Sequence, residues 1–486
     1  MAWTAGAKWA TQLFSWASLL IVASLISRAD YGLSNMAGVV YVLTNSLAEF
    51  GVGTATLHMA ELDDHALHQL HGFSLMLCTG AYIVSVLLSP LIAHFFREPH
   101  LVVLLAVTNL VLLVTGFQAV PTGLLQRDMD YRRLSISEAA LAIVQAIVTV
   151  VGAWLGWGYW ALAAGLIAGK SANAVMVMWW KPLAFAFPRW KDIRAPIEFG
   201  SRAAIGQLAW SAYLHSDGII VGRMLGDAAM GAYQMALNFA NAPAEKISML
   251  IMRTAGPLFA NVQTEPQLVR RYFLLLVETL NMAVVPAMAG LVMVAPEAVE
   301  VVLGSKWVAV TLPLMWMAAY MIVSTMNSLV TQVLVSQRQT KFTMRVSLFN
   351  MIVMPVAFIL GARWNGTAGV AAAWLLATPI TSLPSAIKLV RQIGISWTDY
   401  VMSVLPTLSC AGAMIVVLAV FRHTIGPLHW SSGLRLGLEI MVGGATYSAV
   451  MFTVFREKIK RYLTFLRGLR GGRPPDAEPG SIAGTV

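Results

Sequence analysis

A chain of 486 residues that is 58% apolar and only 12% charged departs from soluble domains, where about 25% of residues are charged. Apolar runs of about 20 residues recur from end to end with no long hydrophilic block between them, which excludes a soluble enzyme. The net charge of +10 does not point to nucleic acid, because the basic residues gather in alternate loops instead of one patch.

In chain order, the hydrophobic pattern predicts an all-α polytopic membrane protein with fourteen transmembrane helices, at 8–27, 31–56, 68–95, 101–125, 134–155, 159–180, 198–222, 229–252, 269–294, 308–335, 342–362, 367–390, 399–421 and 434–455. The first run pairs at once with the second, so it reads as a span and not as a cleaved leader. With the N-terminus inside, alternate loops hold 23 basic residues on the inner side against 7 on the outer side. Both termini are therefore expected in the cytoplasm, with the protein in the inner (plasma) membrane. The inner loop 57–67 carries Glu61, Asp63 and Asp64 with no basic residue, but acidic residues count little in this rule. Cys78 and Cys410 both fall inside spans and form neither a disulfide framework nor a metal spacing.

The second span places Ser34, Gly38, Tyr41, Asn45 and Glu49 on one stripe, at spacings of four, three, four and four. A carboxylate at that depth costs about 2.5 to 3.5 kcal/mol on insertion scales, which favours a cavity wall over a packing face glued by polar groups. His58, Glu61, His65, His68 and His71 follow at helical spacings and read as an interfacial polar face, not a metal site. Asp128-Met-Asp130 has the look of a metal-binding DxD, yet it sits on a tight inner loop with no nucleotide-binding fold nearby, so it reads as a capping turn. No metal and no cofactor is expected.

The sixth span carries Lys170, and the seventh repeats the stripe with Arg202, Gly206, Trp210, Tyr213 and Asp217. Glu245 and Lys246 lie in the eighth span and Glu278 in the ninth. Functionally, Arg202 offers a bidentate fork to phosphate, and Lys170 and Lys246 offer point charges. Tyr41, Trp210 and Tyr213 offer aromatic faces to sugars. Glu49, Asp217, Glu245 and Glu278 would balance charge or bind a coupling ion. The alternative for the cations is snorkelling, or pairing with these carboxylates. Arg28 and Arg223 mark corresponding outer ends of the first and seventh spans, as an outer rim or simply as interface markers.

Three sequence matches recur in the same order: NSLAE at 45–49 with NAPAE at 241–245, QR at 126–127 with QR at 337–338, and WALAA at 160–164 with AGVAA at 368–372. The offsets of 196, 211 and 208 suggest two six-span copies, an N-lobe over 1–195 and a C-lobe over 196–395. An even number of spans makes the copies like-facing, related by a pseudo-two-fold along the membrane normal, with a site between them. Two further helices occupy 396–456. Residues 457–486 open with a basic amphipathic segment suited to anionic lipid and end in a Gly/Pro-rich tail expected to be disordered. No Walker A, GxSxG or HExxH pattern occurs, so the reading is a secondary transporter and not an enzyme. A membrane polymerase or ligase would need a sizeable outer loop, which this chain lacks.

VPTGLLQRDMDYRR at 120–133, GWGYWAL at 156–162, SDGIIVGRMLG at 216–226 followed by MGAY at 230–233, and LGSKW at 303–307 together resemble motifs of the polysaccharide transporter branch of the MOP superfamily, the Wzx-type flippases. Gly123 and Tyr131 stand where that family usually has Ala and Phe, and Arg435 in the last outer loop is a further departure. The resemblance implies a two-lobed, fourteen-helix fold that opens alternately to each face. It also implies a substrate of undecaprenyl-pyrophosphate bearing an oligosaccharide repeat unit, with a polysaccharide polymerase and a chain-length regulator as partners. The rival within the superfamily is an ion-coupled multidrug or small-solute exporter.

Overall fold

The computed structural model describes residues 2–58, 64–189, 194, 207–262, 265–425 and 430–456, and every regular element among them is helical. The basic segment and tail expected over 457–486 lie outside the described residues. The α-helices are α1 (Ala2–Leu25), α2 (Arg28–His58), α3 (Asp64–Phe96), α4 (Leu101–Thr108), α5 (Leu110–Arg127), α6 (Tyr131–Trp154), α7 (Tyr159–Trp180), α8 (Ser216–Leu225), α9 (Asp227–Asn261), α10 (Pro266–Val302), α11 (Thr311–Ser336), α12 (Thr340–Ile393), α13 (Trp397–Ile425) and α14 (Ser432–Val454), with a 3-10 turn at Ser305–Val310 before α11. Among the described residues, nine helical stretches are long and apolar enough to cross a membrane. One of them, Lys341–Ile393, has 53 residues, enough for two crossings.

That stretch reverses at Asn365 (φ −149°) and Gly366 (φ 55°, ψ −134°), between the predicted spans 342–362 and 367–390. The limbs meet so closely that a Cβ on Gly369 would sit 1.9 Å from the Gly361 carbonyl oxygen, a contact only glycine permits. Gly158, at the start of α7, has nearly the same backbone conformation (φ 55°, ψ −131°) 208 positions earlier.

Two predicted spans are interrupted. The fourth is divided into α4 and α5 at Asn109, whose Nδ2 donates to Ser85 Oγ at 3.1 Å. In the seventh, residues 207–214 are helical and α8 begins after His215 (φ −106°, ψ 8°). Ser216 Oγ donates back to the Tyr213 carbonyl at 2.7 Å and Asp217 Oδ1 accepts from Gly218 N at 2.7 Å, the local bonding by which Ser and Asp favour helix starts over interiors.

The chain divides into two compact units, Met1–Ala236 with Val302–Pro313 and Asn350–Ala373, and Leu237–Val301 with Leu314–Phe349 and Trp374–Val486. In the first, Tyr41, Cys78, Val111 and Leu112 form a buried cluster joining α2, α3 and α5, with Leu166 and Ile167 of α7 packed against it. In the second, the last two spans close on α10: Val285 and Ala289 meet Cys410, Ala411, Met414 and Leu418 of α13 and Tyr447 and Met451 of α14. Tyr447 Oη donates to the Met282 carbonyl at 3.0 Å.

Candidate functional site

The first unit holds most of the residues singled out above. α2 and α7 start together, since Asp30 lies against Gly158, and they run parallel past the Tyr41 cluster. Tyr41 is buried in that cluster. Lys170 follows Leu166 by one turn on α7, as Asn45 follows Tyr41 on α2, so the two polar positions share a depth. One residue beyond Asn45, Ser46 Oγ meets Ser211 Oγ at 3.0 Å in a buried contact that fixes the 207–214 helix to α2. Trp210 and Tyr213 flank Ser211 with ring centroids 5.5 Å apart and planes inclined by 44°. Trp210 is exposed and Tyr213 half-buried, so this pair has ring surface available.

Lys170 itself is half-buried, and among the described residues no carboxylate lies within ion-pair reach of it. A lysine in mid-span without an anion is costly unless water or a bound anion serves it. Arg202 lies outside the described residues, and so does the side chain of Glu49.

Asp217 is buried, with Oδ2 accepting from Tyr233 Oη at 2.6 Å. The tyrosine belongs to α9, so the bond ties α8 to α9 across the reversal at Gly226 (φ 87°). Arg28 opens α2 beside Gly231, where a Cβ would fall 2.0 Å from the Arg28 carbonyl oxygen. Arg223 lies near the end of α8 with its guanidinium carbon 5.4 Å from the Phe95 ring centroid. Lys246 and Glu278 are half-buried and Glu245 exposed, all three in the second unit.

Asp128-Met-Asp130 is a structural turn. Asp130 caps α6, accepting from Arg133 N at 3.1 Å, and Asp128 pairs with Lys181 at 2.6 Å. Among the described residues, no group of His, Cys, Asp or Glu could hold a metal. The LGSKW motif is a clasp on the end of α1. Lys306 Nζ donates to the Ser24 and Ile26 carbonyls at 2.8 and 2.9 Å, and Trp307 Nε1 to Ala23 at 2.9 Å, satisfying carbonyls left open by the helix terminus.

One cluster had gone unremarked in the sequence. Arg422 of α13 donates through Nε to Glu439 Oε1 at 2.9 Å and through Nη2 to Glu297, while Arg435 Nε lies 3.3 Å from Glu439 and 3.4 Å from Glu297. Both glutamates are buried. The Arg435–Glu439 spacing of four is the available signal, but Arg422 and Arg435 lie at the ends of predicted spans and count there with the outer basic residues.

Comparison with known proteins sets these observations in context. Residues 21–312 match the family model described as "Polysaccharide biosynthesis protein". The chain belongs to the polysaccharide biosynthesis protein family. This family member is 24% identical over 438 residues to the lipopolysaccharide biosynthesis protein WzxC of Escherichia coli K12, covering 85% of this chain and 87% of that one. Its fold is that of lipid II flippase MurJ in an inward closed conformation, with a TM-score of 0.75 at 14% identity over 94% of this chain and 100% of the other. An inward-facing multidrug resistance MATE transporter of the MOP superfamily shares the fold at a TM-score of 0.63 and 13% identity, over 79% of this chain and 94% of that one. The family member is thus a multi-pass membrane protein whose helical fold is shared with that flippase and that transporter, and its sequence relative is a lipopolysaccharide biosynthesis protein.

Proposed function

We propose that this protein carries undecaprenyl-pyrophosphate-linked oligosaccharide repeat units from the inner to the outer leaflet of the plasma membrane for exopolysaccharide, O-antigen or capsule assembly. Two like-facing lobes, 1–195 and 196–395, rock about a central cationic cavity, with both termini in the cytoplasm. The pyrophosphate is held by Arg202 and Lys170, with Lys246 as a further cation. Trp210 and Tyr213 face the sugars, while Tyr41, expected to join them, packs in the apolar cluster of α2, α3 and α5. Glu49, Asp217, Glu245 and Glu278 balance charge or take a coupling ion, and Arg28 and Arg223 form the outer rim. A polymerase and a chain-length regulator receive the product.

The observation that carries this reading is Lys170. It is half-buried in mid-span without an anion among the described residues, and the 207–214 helix fixed to α2 carries an aromatic pair suited to sugar rings. The repeated backbone conformation of Gly158 and Gly366, 208 positions apart, supports two copies of one unit. Reconstitution into vesicles is the direct test. Wild-type protein is expected to make an inner-leaflet lipid-linked oligosaccharide accessible to an external sugar-modifying reagent. Ion-driven efflux of a lipophilic cation without lipid transfer would instead establish the exporter reading, the alternative within this fold.

A further inference from the structure

α3, like α5 and α11, closes on a non-glycine residue with positive φ. Arg97 takes the left-handed conformation (φ 62°), its N–H donating to the His94 carbonyl at 3.2 Å while Glu98 N–H donates to Ala93 at 3.0 Å. This paired closure is one that glycine fills without steric cost, so an arginine here is retained against the backbone's preference.

Arg97 lines a cleft of about 550 Å³ together with His94, Glu98, Pro90 and Pro99, and Arg223 of α8 is also on its wall. Arg223 has its Nη1 buried without a hydrogen-bond partner, and its guanidinium lies over Phe95. Among the described residues, neither guanidinium has a carboxylate within ion-pair reach. Glu98 is a poor counter-ion, because burial first and repulsion from Asp227 second raise its carboxyl above the usual range, with His100 opposing. Leu87 and Leu91 share one face of α3 with His94, at spacings of four and three, and are 72% and 65% exposed. An apolar strip of that kind is a lipid-facing surface, and it leads through His94 to the cleft that Arg97 and Arg223 line.

We propose that this cleft is a binding site for an anionic phospholipid, with Arg97 and Arg223 on the phosphate and an acyl chain along Leu87 and Leu91. Lipid retention at this cleft is read without transport, so the proposal does not depend on the direction of transport. Two forks without protein anions suit a phosphodiester, and the adjoining apolar strip favours a lipid over a free ion.

The test is native mass spectrometry of the full-length protein in micelles doped equally with phosphatidylglycerol and phosphatidylcholine. Wild type is expected to retain phosphatidylglycerol about five-fold more per arginine engaged. That preference should vanish in R97Q/R223Q. R97G relieves the left-handed strain, so its melting temperature should be no lower than wild type while the preference still falls. This separates binding from folding if the double variant is unstable. Equal retention of the two lipids by wild type, or an unchanged preference in both R97Q/R223Q and R97G, would overturn the proposal. Full displacement of phosphatidylglycerol by millimolar inorganic phosphate would overturn the lipid assignment in favour of a free-phosphate site.

Discussion

Asp217 is a residue whose type was legible and whose partner was not. A buried carboxylate in an apolar stretch announces itself in the sequence, but Tyr233 comes sixteen residues later and reaches it only because the chain reverses at Gly226. The Asp and Tyr of the SDGIIVGRMLG…MGAY motif therefore bond to each other, and this motif has a structural role alongside any coupling role. Tyr233→Phe should destabilise the protein by about 1 to 3 kcal/mol, the cost of leaving a buried polar group without its partner, as read by thermal unfolding in detergent. Trp307→Phe should cost a similar amount, about 2 to 3 kcal/mol, because the fully buried indole loses its bond to Ala23 and the smaller ring leaves part of the site against Tyr31 unfilled. Glu98 supplies a pH signature outside the spans. Its raised carboxyl keeps a proton in the folded state that the unfolded chain has already released. Stability from this group is thus full below the ordinary glutamate pKa, about 4.3, and falls as pH rises through the folded value. Melting temperature measured against pH should show a shallower decline in Glu98→Gln than in wild type.

At the scale of elements, periodicity served well where polar breaks coincide with span ends and poorly where they do not. Asn365-Gly366 divides α12 between the two predicted spans because glycine alone takes the φ required there. The break at His215 was invisible, since apolar spacing continues through it and the turn rests on Ser216 and Asp217 bonding locally. The Glu297–Arg422–Glu439–Arg435 cluster was missed because it joins three helices distant in sequence. Arg422→Gln leaves two buried carboxylates facing a single arginine, and an uncompensated buried charge costs about 3 to 5 kcal/mol. The double variant Arg422→Gln/Glu439→Gln should be more stable than Arg422→Gln alone, a sign that a double-mutant cycle by thermal unfolding reads directly.

For the whole molecule, the family and the all-helical membrane fold were legible from composition, span pattern and the dispersed motifs, because each reflects a constraint the bilayer imposes on every span. The motif residues turn out mostly to close turns, clasp helix ends and permit close crossings, as Trp307, Asp130 and Gly158 do. They therefore identify the fold more firmly than the substrate. What distinguishes a carrier of pyrophosphate-linked sugars is instead the cation held in mid-span without an anion, and for Lys170 sequence alone could not separate that from an ion pair. The measurement closest to the central claim is lipid-linked oligosaccharide transfer by Lys170 variants in vesicles, with melting temperature as the folding control. Lys170→Arg should keep most of the transfer, and Lys170→Ala and Lys170→Glu should lose at least about ten-fold with melting temperature unchanged, whereas wild-type transfer by folded Lys170→Glu would contradict the account.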